Sequence, residues 1–114
     1  MSRDKASLLD IFRAGQQVLA YAQGLTLSQL EVDEMRISAI LYQVLIIGEA
    51  TKRLSREYRE EHPVIPWTRM AGMRDIVIHR YDDVNYEVLW TVIQHSIPEL
   101  LSQMEPLLPT DSSE

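Results

Sequence analysis

Residues 37–48 read Ile37-Ser38-Ala39-Ile40-Leu41-Tyr42-Gln43-Val44-Leu45-Ile46-Ile47-Gly48, twelve residues without a charge. The run is too short to cross a bilayer, which takes about 20 apolar residues. It shows no polar–apolar alternation, and no proline interrupts the chain from Ser28 to Tyr58. That pattern predicts one long helix over roughly 28–58. Its acidic start (Glu31, Asp33, Glu34) suits the positive end of a helix dipole. A helix that is apolar on every side must be covered on every side. A chain of 114 residues is one domain, and a single small bundle leaves part of this helix bare. Its middle is therefore expected to face both the core and a second subunit, in a two-fold homodimer. Gly48 costs roughly 1 kcal/mol of helix propensity against alanine. It marks either the close approach of another helix or a tolerated cost. From Thr51 to Glu61 the chain turns polar and charged, as a solvated helix end does.

Before this helix, Leu8, Ile11, Phe12, Gly15, Val18, Leu19 and Ala22 recur at three- and four-residue intervals. They form the apolar stripe of a first helix from Asp4 to Tyr21. Gln23-Gly24 is its stop, with glycine free to take the left-handed conformation, and Thr26 or Ser28 caps the next helix. After the long helix, Pro63 and Pro66 push their predecessors toward extended backbone, and Pro66 suits the first turn of a new helix. That helix is expected to run from Trp67 through the Arg74 region until Asp82-Asp83 breaks it. Asn85 or Asp83 then caps a last helix. Its seam is Val88, Leu89, Val92, Ile93, Ser96, Ile97, Leu100, Leu101 and Met104. Pro98 lies inside that seam and should kink it. Four helices with short connections predict an all-α, antiparallel four-helix-type bundle. The domain is placed at 1–108, with 109–114 as a flexible tail.

Bulk properties narrow the class. An apolar share of 46% supports a packed core. With no cysteine, disulfides and thiolate metal sites are excluded, which fits a reducing cytoplasm. Asp4 and Asp10 interrupt any signal-peptide pattern at the start, so a cytoplasmic location without a membrane anchor is expected. The net charge of −6 argues against a general nucleic-acid coat protein, which needs a broad basic surface. The basic residues are nonetheless unevenly placed. Nine of the eleven are arginine, and Arg69, Arg74 and Arg80 cluster around one segment.

That segment is Arg74-Asp75-Ile76-Val77-Ile78-His79-Arg80-Tyr81. Histidine titrates near neutral pH and serves as general base or acid. An arginine beside it holds phosphate through two parallel hydrogen bonds and stabilises charge that builds during transfer. Arg74 and His79 together suffice, without metal or cofactor, to cut RNA. The 2′-hydroxyl is the nucleophile, His79 moves the proton and Arg74 holds the phosphorane. Five residues of α-helix turn about 500°, leaving Arg74 and His79 roughly 140° apart. Three accounts meet that difficulty: the arginine curls round, the helix unwinds near His79, or two segments meet across a dimer axis, the last being preferred because it also covers the apolar helix. The plainer reading of the same residues is a capping histidine and an Arg74–Asp75 surface pair of little energetic worth. Glu49, at the end of the apolar run, either faces the bundle and pairs with an arginine or is simply solvated. His62, before a proline turn, and His95, in the seam helix, read as structural. Histidines so far apart make no metal signature.

Arg74-x4-His79-x-Tyr81 resembles the Arg-x(4–6)-His signature of HEPN domains, and specifically the HepT-like toxins. Ile46-Ile47-Gly48-Glu49-Ala50, Ile65-Pro66-Trp67, Met70-Ala71-Gly72-Met73-Arg74 and Val88-Leu89-Trp90 are similar to further blocks of that group, in the same order. The resemblance covers about residues 5–104. It implies an all-helical homodimer with both motifs in a cleft at the two-fold axis, acting as a metal-independent endoribonuclease. It also implies a partner, a minimal nucleotidyltransferase antitoxin that transfers AMP from ATP to the motif tyrosine. Carried over, Arg74 and His79 are catalytic and Tyr81 is the modification site, with Asp75, Arg80 and Glu49 in supporting or RNA-binding roles. AMP on Tyr81 would place bulk and negative charge where an anionic strand must lie. Arg80 stands where this group often has glycine. It adds positive charge beside the site or restricts the turn that glycine permits. A second reading stays open, a non-catalytic helical adaptor that binds nucleotide or its nucleotidyltransferase partner.

Overall fold

The computed structural model describes residues 2–80 and 83–109, with the backbone alone at His79 and Arg80. Helix α1 runs Arg3–Ala22, started by Ser2, whose side chain accepts the Lys5 N–H at 3.2 Å. Of the stripe expected from the sequence it buries Leu8, Ile11, Gly15, Val18 and Ala22, with Ala14 added, while Phe12 and Leu19 are half-buried. Gly24 ends it with φ at +81°, a conformation glycine takes without steric cost.

The single helix expected over 28–58 is three: α2 Leu27–Val32, α3 Glu34–Arg53 and α4 Arg56–Glu61. Each break has a local chemical cause. Thr26 and Gln29 form a reciprocal capping box that starts α2. Asp33 leaves helical geometry and caps α3 by accepting the Arg36 N–H at 3.0 Å. Ser55 caps α4 through the Tyr58 N–H at 3.1 Å. Ser55 is itself held by Asp4, whose Oδ1 accepts its N–H and whose Oδ2 accepts its hydroxyl, both at 2.7 Å.

Asp4 opens α1 and Ser55 follows α3, while Arg53 at the end of α3 pairs with Asp10 at 3.3 Å. The two long helices therefore run antiparallel. Between them lie Leu8, Ile11, Ile40, Val44 and Ile47, all essentially without exposure. Fully burying such side chains stabilises by about 1.5–3 kcal/mol each.

Trp67 anchors the next turn, its Nε1–H donated to the His62 carbonyl at 2.9 Å. The Tyr58 ring lies 4.5 Å from His62 and 6.1 Å from Trp67, centre to centre. His62 thus has the structural role expected of it. Helices α5 (Trp67–Ala71) and α6 (Met73–Val77) follow, separated at Gly72. Pro66 is the N-cap of α5, one position earlier than expected.

The chain then departs from the sequence reading. Instead of continuing as helix to Asp82-Asp83, it becomes β1, Ile78–Arg80, paired antiparallel with β2, Asp83–Val84. Ile76, Val77 and Ile78 are three β-branched residues in a row, which disfavour helix. The Asn85 N–H bonds to the Val77 carbonyl at 2.7 Å, closing the ribbon. Asn85 also caps α7 (Tyr86–Thr91), accepting the Val88 N–H at 3.1 Å.

A π turn, Val92–Ser96, joins α7 to α8 (Ile97–Met104). The expected kink at Pro98 thus takes the form of one wide turn just before it, in which the Ile97 N–H reaches the Val92 carbonyl. Proline lacks the N–H that a regular turn would use. Of the predicted seam, Leu89, Val92, Ile93, Ile97, Leu100 and Met104 are buried, and Val88, Ser96 and Leu101 are half-buried at its edges. A final 3-10 turn, Glu105–Leu107, packs Leu107 and Leu108 against the core. Of the tail expected at 109–114, residues 110–114 lie outside the described residues. The architecture is an α-helical bundle carrying one short β ribbon.

Candidate active site

The place of Arg74 is set by how closely α5 and α6 approach α3. A Cβ built on Gly48 would lie 3.3 Å from the Ala71 carbonyl oxygen, tighter than most side-chain contacts. Gly48 therefore does mark the close approach of another helix. Where the helices touch, they leave a groove of about 310 Å³, lined by Leu45, Gly48, Glu49 and Lys52 of α3 and by Ala71, Arg74 and Asp75.

Arg74 lies in this groove with Glu49, two residues that the sequence reading singled out separately. Its Nη1 is 3.5 Å from Asp75 Oδ1, and the two side chains are 52% and 80% exposed. Such an open pair contributes little to stability, and the guanidinium can exchange it for a phosphate at small cost. Glu49 is exposed at the groove wall, so the reading that turned it into the bundle interior gives way to the solvated one. Lys52 was not singled out from the sequence. The available signal was its position four residues after Gly48 and three after Glu49, which puts all three on one side of α3.

Helix α6 stops at Val77, and Ile78 has extended geometry (φ −110°, ψ 107°). The backbone of His79 is therefore in β1, beyond the helix that carries Arg74. Of the accounts of their angular mismatch, the backbone does unwind before His79, which leaves the preferred account, a site shared across a dimer axis, to the proposal below. Tyr81 and the side chains of His79 and Arg80 lie outside the described residues.

No group of three or more histidine, aspartate or glutamate residues able to hold a metal occurs among the described residues. No described helix is long and apolar enough to cross a membrane.

The profile of the family described as "Ribonuclease HepT-like" matches residues 11–107. The chain belongs to the HepT-like ribonuclease family. Similar proteins include "Putative RNase TTE0752" of Caldanaerobacter subterraneus subsp. tengcongensis, 35% identical over 108 residues, covering 95% of this chain and 96% of that one. "Probable ribonuclease HepT" of Thermococcus cleftensis is 34% identical over 103 residues, covering 90% and 94%. "Putative RNase MJ1380" of Methanocaldococcus jannaschii is 30% identical over 101 residues, covering 89% and 93%. No solved structure gives a significant match. The HepT-like assignment agrees with the helical bundle, and the matched region includes the whole Arg74–Tyr81 segment.

Proposed function

We propose that this HepT-like chain is the toxin of a toxin–antitoxin pair, a metal-independent endoribonuclease that works as a two-fold homodimer. One observation carries the reading. Ser38, Tyr42, Leu45, Glu49 and Lys52 recur at helical spacing as the uncovered side of α3, with Tyr42 62% exposed. The last three of these residues line the groove that holds Arg74. A second copy seated on Tyr42 and Leu45 would bring two Arg74 grooves to one seam. An Arg74 and a His79 from both chains would then face a single strand.

In that seam His79 removes the proton from a ribose 2′-hydroxyl. The oxygen attacks the adjacent phosphorus, and the bond to the 5′-oxygen breaks. A proton returns to the leaving oxygen, giving a 2′,3′-cyclic phosphate and a free 5′-hydroxyl. Arg74 holds the negative charge of the five-coordinate state, where a positioned donor is worth most. DNA lacks the nucleophile and resists. Control falls on Tyr81, two residues beyond His79. A cognate nucleotidyltransferase transfers AMP from ATP to its phenolic oxygen and releases pyrophosphate. The added phosphate repels RNA from the groove.

The test is cleavage of RNA and of same-sequence DNA by purified protein in chelator. RNA is expected to be cut and DNA spared. Equal cutting of both, or loss of cutting on chelation, overturns the mechanism, and no cutting at all returns the chain to the adaptor reading. His79→Ala should abolish growth arrest on expression. Co-expression with the nucleotidyltransferase should add the mass of AMP at Tyr81, and an unmodified Tyr81 in a tight complex would point to inhibition by burial.

A further inference from the structure

A second basic depression lies between α4 and the start of α5, and it shares no lining residue with the Arg74 groove. Its volume is about 570 Å³, and Arg56, Arg59 and Arg69 border it. In a chain with a net charge of −6, three of the nine arginines meet at this one concave place. The single acid on its wall is Glu60, which holds Arg56 Nε at 3.0 Å. Arg59 and Arg69 have no ion pair among the described residues.

The floor is built in advance of any ligand. Ile65 and Trp67 are buried, the Trp67 indole is fixed to the His62 carbonyl, and Pro63 and Pro66 restrict the connecting turn. Rigid walls leave only the arginine side chains to be ordered on binding, which lowers its entropic cost. The volume is within the range of sites that take molecules of nucleotide size. Guanidinium groups match pairs of phosphate oxygens better than point charges do. Arg69 also belongs to the same α5–α6 segment as Arg74, five residues before it.

We propose that this cleft is an RNA-holding exosite, in which Arg59 and Arg69 grip phosphates of a single-stranded part of the substrate away from the bond that is cut. The proposal rests on the ribonuclease reading for its choice of ligand. The exosite extends the protein's reach along the strand and makes affinity depend on RNA length. Glu60 acts as a brake, because its negative charge on the wall repels the strand.

The experiment uses full-length protein carrying His79→Ala, so that RNA survives. Binding of a fluorescent oligouridylate of about 12 nucleotides is followed by anisotropy over a salt series. Adding Arg59→Gln and Arg69→Gln should weaken binding roughly tenfold and flatten the plot of log affinity against log salt by about 1.4, or ~0.7 per lost phosphate contact. Glu60→Gln, an exposed change that spares the fold, should tighten binding and steepen the plot. Unchanged affinity and slope in the double variant, or no gain from Glu60→Gln, overturns the exosite. So does loss of polyglutamate binding with RNA binding intact, which would assign the cleft to an acidic protein face. If the native chain cuts no RNA yet the double variant loses RNA binding, the ribonuclease reading fails and the exosite stands. If the native chain cuts RNA, and Arg59→Gln with Arg69→Gln introduced into the chain that keeps His79 cuts it with unchanged KM, the exosite fails and the ribonuclease reading stands.

Discussion

The carbonyl oxygen of Ala71 lies 3.3 Å from where a Cβ on Gly48 would stand. The obstacle is backbone, so it cannot rotate away as a side chain can. Gly48→Ala gains helix propensity of about 1 kcal/mol but must push α5 outward by a few tenths of an ångström. Its stability in urea should change little, while RNA cleavage falls, because Arg74 rides on the displaced segment. Gly48→Val overpacks the contact and should cost about 1–3 kcal/mol. Stability and activity measured on both variants separate packing from positioning.

Arg74 and Asp75 form an exposed pair at 3.5 Å. Asp75→Ala should shift stability by less than about 0.5 kcal/mol and leave an active enzyme. Arg74→Ala should leave stability equally untouched and lower kcat on RNA by about 100-fold or more. Chemical denaturation beside single-turnover cleavage checks both. A cleavage rate in Arg74→Ala close to native removes the arginine from the mechanism.

Asp4 reaches Ser55 across 51 positions of sequence with two bonds of 2.7 Å. Asp4→Ala leaves the Ser55 N–H without its partner and should cost about 1–2 kcal/mol. Ser55→Ala removes the α4 cap as well and should cost about as much or more. The double variant should cost less than the sum of the two, since they share one network.

The Tyr58 hydroxyl has its pKa raised, chiefly by burial and then by the negative charges of Asp4 and Glu61. A phenol that ionises later in the folded chain than in the unfolded one binds more protons when folded. Its stabilising contribution is complete below about pH 10 and declines as pH rises through the folded pKa. Melting temperatures taken from pH 8 to 11 should fall less steeply in Tyr58→Phe than in the native chain. Parallel curves would remove Tyr58 as the cause.

The π turn at Val92–Ser96 contains one residue more than a regular turn would. Deleting Gln94, which is exposed, should convert it to ordinary α-helix while Leu89 and Ile97 stay on the buried side. Deleting Gln16 from the regular helix α1 rotates everything after it and should unfold the chain. Circular dichroism melts of the two deletions give the comparison.

Where a boundary is written in neighbouring residues, the sequence is readable. Gly24 ends α1, Asn85 caps α7 and the seam from Leu89 to Met104 is buried as its spacing requires. Where a boundary depends on a distant residue, it is not. The break before α4 needs Asp4, and the end of α6 needs the Asn85 N–H on the Val77 carbonyl. Asp33 was visible as an acidic residue near a helix start, yet its choice of capping over continuing depends on side-chain geometry. The candidate site divides in the same way. Arg74 and Glu49 stood out by residue type, while their meeting in one groove with Lys52 follows from how α3 and α6 pack.

The arginine of the motif sits in a helix and the histidine follows in an extended strand. Inside a helix each added residue would swing the histidine by about 100°. Past the helix end, an added residue lengthens a tether and leaves the arginine where it was. The spacing between the two is therefore a matter of reach, not of angular phase. A signature that tolerates different Arg-to-His intervals is the natural outcome of a fold that stops its helix between them.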